Sequence, residues 1–175
     1  MVALTVKRIL FALLRVWLGI QWLEAGLHKV GTPNWTGEQA GAALTGFVKG
    51  AIAKATGANP TVQAWYADFL ENIVLPNATL FSYMVAWGEV LAGIGLILGV
   101  FTGFAAAGAA LMNLAFLLAG TISSNPILLT AAFFVLAGIN YAEYFGVDAI
   151  LRPKVETAAG EGIKWMRGRI AKSHA

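Results

Sequence analysis

Four stretches of the chain, at about Arg8 to His28, Leu80 to Gly99, Gly103 to Thr121 and Pro126 to Phe145, are each predominantly apolar. Each holds roughly 20 residues, enough for an α-helix to cross ~30 Å of hydrocarbon at about 1.5 Å per residue. The whole chain fits that reading, being 58% hydrophobic and 12% charged. Its mean hydropathy of +0.71 exceeds what a soluble domain of 175 residues hides in one core. The expected fold class is an all-α integral membrane protein built as a four-transmembrane-helix bundle over residues 1–152. The first apolar run follows Lys7 and Arg8 as a signal peptide would, but it carries Arg15 and Glu24 inside it and has no small-x-small cleavage site. We read it as a retained span.

Basic residues set the expected orientation. Lys7 and Arg8 precede the first span, and Arg152, Lys154, Lys164, Arg167, Arg169 and Lys172 follow the last, which places both termini on the cytoplasmic side. The links after the second and third spans, Val100 to Thr102 and Ile122 to Asn125, are too short to hold a domain. The insertion at 30–79 is too long for a structureless connection. Two amphipathic helices fit it, lying on the outer membrane surface or lidding the bundle. One, about Thr36 to Ala55, groups Leu44, Phe47, Val48 and Ile52 on one face. The other starts at Pro60 and groups Val62, Trp65, Phe69 and Ile73. The tail at 153–175 reads as a basic amphipathic cytoplasmic helix over about Val155 to Ala171.

Polar groups within the spans are where chemistry is expected, because an unpaired charge at the centre of a bilayer costs about 3 kcal/mol or more. In RVWLGIQWLEAGLHKVG, Arg15, Trp22 and Lys29 fall on one helical stripe, and Trp17, Gln21, Glu24 and His28 on another. Depths counted from the span ends put Arg15 level with Asn140, and Glu89 level with Asn113. The expectation is a central ion pair between Arg15 and Glu89, with Asn113 and Asn140 filling hydrogen-bond positions. His28 and Lys29 then form a basic outer mouth, and Trp17, Trp22 and Trp87 offer rings for stacking a planar ligand. The plainer alternative is a network that only fixes helix register, as polar groups in membrane interiors often do. The glycines Gly95, Gly99 and Gly103, spaced every fourth residue, suit close helix approach.

Absent residue types narrow the chemistry. The chain has no cysteine and two histidines, His28 and His174, at opposite ends. Thiolate zinc, iron-sulfur and covalent haem sites are therefore not expected, no metal site is expected, and any redox role falls to a diffusible or partner-held cofactor. The net charge of +3 comes from residues near the chain ends, where anionic lipid explains it more simply than nucleic acid.

The spacing of Arg15, Gly19, Gly26 and Lys29, the stretch GEVLAGIGLILGVFTGF and the closing AGINYAEYFGVDAILRP together resemble the DoxX/DoxD-like membrane proteins. That resemblance implies the large membrane subunit of a thiosulfate:quinone oxidoreductase in a prokaryotic plasma membrane. Electrons would pass from a small reductant such as thiosulfate to diffusible quinone, with Arg15, Glu89, His28 and Lys29 as catalytic groups. It also implies a small second subunit or a soluble oxidoreductase as partner, and homo-oligomers remain open. The competing reading is a non-catalytic membrane scaffold that anchors a soluble redox partner through the basic tail or the extracytoplasmic helices.

Overall fold

The computed structural model describes residues 2–151 and 153, and the expected tail helix lies outside them. Among the described residues all regular structure is helical. Helix α1 (Val2–Val30) is followed by the short α2 (Pro33–Thr36) and by α3 (Ala42–Ala53). Next, α4 (Ala64–Phe69) runs through a π-helical turn (Leu70–Val74) and a 3-10 turn (Leu75–Asn77) into α5 (Ala78–Leu98). Helices α6 (Thr102–Leu118), α7 (Asn125–Ala137) and α8 (Ile139–Ala142) complete the order.

Two boundaries depart from the sequence expectation. The second insertion helix starts at Ala64 rather than at Pro60 and is no separate element, because Ala64–Leu98 forms a single 35-residue helical run, long and apolar enough to cross a membrane. The last expected span breaks at Gly138, which leaves helical geometry at ψ 26°. A Cβ at Gly138 would collide with the Phe11 ring, so glycine there lets that ring of α1 pack against the break.

The bundle is organised around α1 and α5, which pack antiparallel with their backbones nearly touching. A Cβ added at Gly93 would lie 2.5 Å from the Leu23 backbone nitrogen, and one at Gly26 would lie 2.6 Å from that of Val90. These are backbone obstacles that cannot swing aside, so the small residues set the helix separation. The fourth-residue glycine reading holds only in part. A Cβ added at Gly95 would lie 2.9 Å from the Ala105 Cβ, whereas one at Gly103 would meet nothing within 4 Å. Gly99 does both, since a Cβ there would lie 2.7 Å from the Gly146 Cα and the residue is a left-handed helix cap at φ 65°.

The interior of this bundle mixes a few large apolar side chains, Leu18, Trp22 and Leu96, with many small and some polar ones, and its exterior is large and apolar. Ala86, Ala92, Ala106, Ala109 and Ala132 are buried together with Arg15, Glu89 and Asn113. Leu91, Phe104, Leu111 and Ile127 are each about two-thirds exposed or more. Leaving one such side chain in water rather than burying it forgoes about 1.5–3 kcal/mol, so the exterior calls for an apolar solvent.

A second apolar cluster joins the insertion to the end of α6. Leu44, Val48 and Ala51 of α3 pack with Tyr66, Leu70, Val74 and Ala119. The Tyr66 hydroxyl donates to the Ala115 carbonyl at 2.9 Å, and Lys54 Nζ donates to the Gly120 carbonyl at 3.0 Å. The insertion therefore lids one end of the bundle. Its α3 face is the expected one, but in the following helix Trp65, Phe69 and Ile73 point outward while Tyr66, Leu70 and Val74 face in.

Candidate functional site

The stagger of α1 against α5 positions the site. Lys29, one residue before the end of α1, meets Glu89, which lies well inside α5. The Lys29 Nζ to Glu89 Oε2 distance is 2.7 Å, with the Glu89 side chain 2% exposed and that of Lys29 19% exposed. The ammonium also stands 5.3 Å from the centre of the Trp35 ring, close enough for a cation-π contact. Trp35 is delivered by α2, whose single turn is tied down from both sides. Ser82 Oγ donates to the Trp35 carbonyl and Tyr83 Oη to the Thr36 carbonyl, both at 2.6 Å, and Thr36 Oγ1 donates to the Val30 carbonyl at 2.9 Å.

This ion pair lines a cavity of about 550 Å³. The α1 side supplies Gln21, Trp22, Glu24 and Ala25, and the lid supplies Trp35, Leu44 and Phe47. Opposite them stand Phe116 and the α6–α7 connection, with Thr121, Ser123, Ser124 and Asn125. Its size and its mixture of aromatic walls with a few convergent polar groups match a small-molecule site.

The expected pair of Arg15 with Glu89 does not form. Arg15 Nη1 donates to the carbonyls of Leu96 at 2.5 Å and Ile97 at 3.3 Å, at the C-terminal end of α5. That end of a helix has carbonyls without intrahelical partners and a negative dipole, both suited to a guanidinium. Seven residues separate Leu96 from Glu89, which is roughly 10 Å of helix. Depth matching failed because it counted each residue from its own span end. The real helices are offset: Lys29 at the end of α1 pairs with the eleventh residue after Ala78, the first of α5.

Beside Arg15, Asp148 caps the start of α6. Its Oδ1 accepts from the Phe101 amide and its Oδ2 from the Thr102 amide, each at 2.8 Å. The Asp148 amide in turn donates to the Gly99 carbonyl at 2.8 Å. A cation at the end of α5 and an anion at the start of α6 thus fasten the turn between them, in which Phe101 takes a positive φ of 49°. Asp148 was not singled out in the sequence, since nothing local links it to a turn 47 residues earlier.

The remaining expected site residues separate. Trp22 is buried and lines the cavity, whereas Trp17 and Trp87 are 40% and 48% exposed on the outside of the bundle. The proposed three-tryptophan stack is therefore reduced to Trp22, with Trp35 as a second ring that the sequence reading passed over. His28 is exposed and does not line the cavity. With Lys29 engaged by Glu89 and Glu24 on the wall, the expected basic mouth does not exist. Asn140 is exposed in α8, beyond the break at Gly138, and does not share a buried level with Arg15. Asn113 is fully buried one turn before Phe116, and neither its amide nitrogen nor its oxygen has a hydrogen-bond partner among the described residues. A Trp beside a helix-starting Pro-Asn in the insertion was the available signal for Trp35. Phe116 offered none, being one of many aromatics in an apolar run.

Comparison with known proteins adds a family. The DoxX family model matches residues 10–121, which include Arg15, Lys29, Glu89, Asn113 and most of the cavity wall. No curated protein and no solved structure matches the chain.

Proposed function

The chain belongs to the DoxX family of membrane proteins, and from that premise we propose that it binds quinone in the cavity at Glu89 and acts as the quinone-side subunit of an oxidoreductase. In this reading α1, α5, α6 and the α7–α8 pair cross a prokaryotic plasma membrane, with the α2–α4 lid outside and both termini cytoplasmic. The apolar exterior and the basic residues at the chain ends support that placement.

The observation that carries the proposal is an ion pair in the wall of an aromatic-lined cavity inside a helical bundle with an apolar exterior. Glue alone needs no cavity. The chain's own residues suit the head group of a quinone. Trp22, Trp35, Phe47 and Phe116 offer ring faces, and Lys29 Nζ is a donor beside a carboxylate. Bound quinone supplies the two-electron acceptor, which takes up two protons to become quinol. Glu89 is placed to pass a proton, and Lys29, while it keeps its bond to Glu89, to donate a hydrogen bond to a neutral ring oxygen. Glu24, on the cavity wall and exposed, provides contact with water.

Electrons are expected from a small reductant, with thiosulfate the first to test, through a second subunit or soluble partner. Thiosulfate oxidation to tetrathionate releases two electrons per two thiosulfates and needs no protein thiol, in keeping with a chain that has no cysteine. The test is quinone reduction by membranes containing the chain and its co-expressed neighbours, with thiosulfate as donor. Wild type is expected to accumulate quinol, and Glu89→Gln to lower the rate by at least tenfold. A wild-type chain that neither binds a quinone analogue nor supports turnover would reject the reading.

A further inference from the structure

The charges on the cavity wall carry information about what it admits. Among the described lining residues the ionisable groups are Glu24, Glu89 and Lys29, two carboxylates and one ammonium. The ammonium is already held at 2.7 Å by Glu89 and shielded by the Trp35 ring. Glu24 has no ion-pair partner among the described residues. The remaining polar lining, Gln21, Thr121, Ser123, Ser124 and Asn125, is uncharged. The other cations near this end are not free lining groups: Lys54 does not line the space and is held at 3.0 Å by the Gly120 carbonyl next to Thr121, His28 does not line it, and Arg15 is committed to carbonyls at the far end of α5.

We propose that this cavity selects uncharged ring ligands and rejects anions, so that an anionic reductant is oxidised elsewhere, on a partner, and never enters the quinone site. The inference rests on the quinone reading and narrows it. An anion entering here meets one unpaired carboxylate and finds no uncommitted cation. A unit charge at ~10 Å in an effective dielectric of ~20 is opposed strongly enough to weaken binding by about tenfold or more. Seating it on Lys29 instead would strip Glu89 of its partner and leave a carboxylate buried alone, which is costlier still. A neutral ring meets neither penalty and keeps the aromatic walls.

Two probes of nearly equal size test the claim: 2-methyl-9,10-anthraquinone and 9,10-anthraquinone-2-sulfonate. Each is titrated against the full chain in uncharged detergent, following quenching of tryptophan fluorescence, with the Trp22→Phe/Trp35→Phe variant as the control for quenching outside the cavity. The methyl compound is expected to bind at least tenfold more tightly than the sulfonate. Glu24→Gln should narrow that ratio and Glu24→Lys should narrow it further, read as the ratio within each variant so that general changes in folding cancel. Equal or tighter binding of the sulfonate to wild type would overturn the selectivity while leaving quinone binding intact. Saturable binding of neither probe would overturn the quinone reading and the inference with it.

Discussion

Arg15 and Glu89 are equally hidden, at 2% and 1% exposure, yet their surroundings differ in kind. Arg15 has backbone partners only, at the end of one helix and beside a turn that Asp148 fastens from the other side. Glu89 has a side-chain partner, in the middle of a helix, on the wall of a cavity. The first arrangement is closed off by backbone and does the work of a helix cap, although the Arg15 Nε is buried without a hydrogen-bond partner among the described residues. The second leaves one side of an ion pair accessible to whatever enters. Burial of a charge in a membrane protein therefore does not by itself mark the chemistry; the nature of its partners does.

That contrast breaks most visibly under substitution. Arg15→Ala is expected to have the largest effect on folding, removing the donor to Leu96 and Ile97 and emptying the space of a large buried side chain, at a cost of about 3–5 kcal/mol. A thermal melt in detergent checks this, and yield should fall with it. Glu89→Ala strands Lys29, but the ammonium is partly exposed and can turn into the cavity, so the loss should be smaller, about 2 kcal/mol. Its effect on quinone binding should exceed its effect on the melt. For Arg15→Lys the order reverses: stability drops because one ammonium replaces a planar fork, while quinone affinity of the folded fraction holds.

Smaller effects sharpen the picture. Asp148→Ala removes two charge-assisted contacts to the start of α6 and should cost about 1–2 kcal/mol, with the cavity unaffected. Trp87→Ala should cost least, within about 0.5 kcal/mol, as expected for a surface position, and should leave quenching by a cavity-bound quinone intact. A large loss of quenching in Trp87→Ala would place the ligand outside the bundle.

Much of this architecture was legible because periodicity survives in any solvent. The stripe of Arg15, Trp22 and Lys29 turns inward as helical geometry requires, and the α3 face of Leu44 and Val48 is buried as expected. Which way the Trp65, Phe69 and Ile73 stripe faces was not legible, and it faces outward. An apolar stripe marks a core only when the surroundings are water, and here the helix is apolar on both sides. Partner choice was illegible because it depends on the stagger of α1 and α5, which Gly19, Gly26 and Gly93 set through contacts to particular residues on the other helix. Their spacing announces closeness but not register. The cavity was illegible for the same reason, being assembled from α1, the lid and the α6–α7 connection.

Charge reversal tests the pairing most directly. In detergent melts, Lys29→Glu and Glu89→Lys should each destabilise the chain, and the double variant should recover a substantial part of that loss. Arg15→Glu combined with Glu89→Arg should recover nothing. Recovery by the Arg15 combination, with none by the Lys29 combination, would contradict the account.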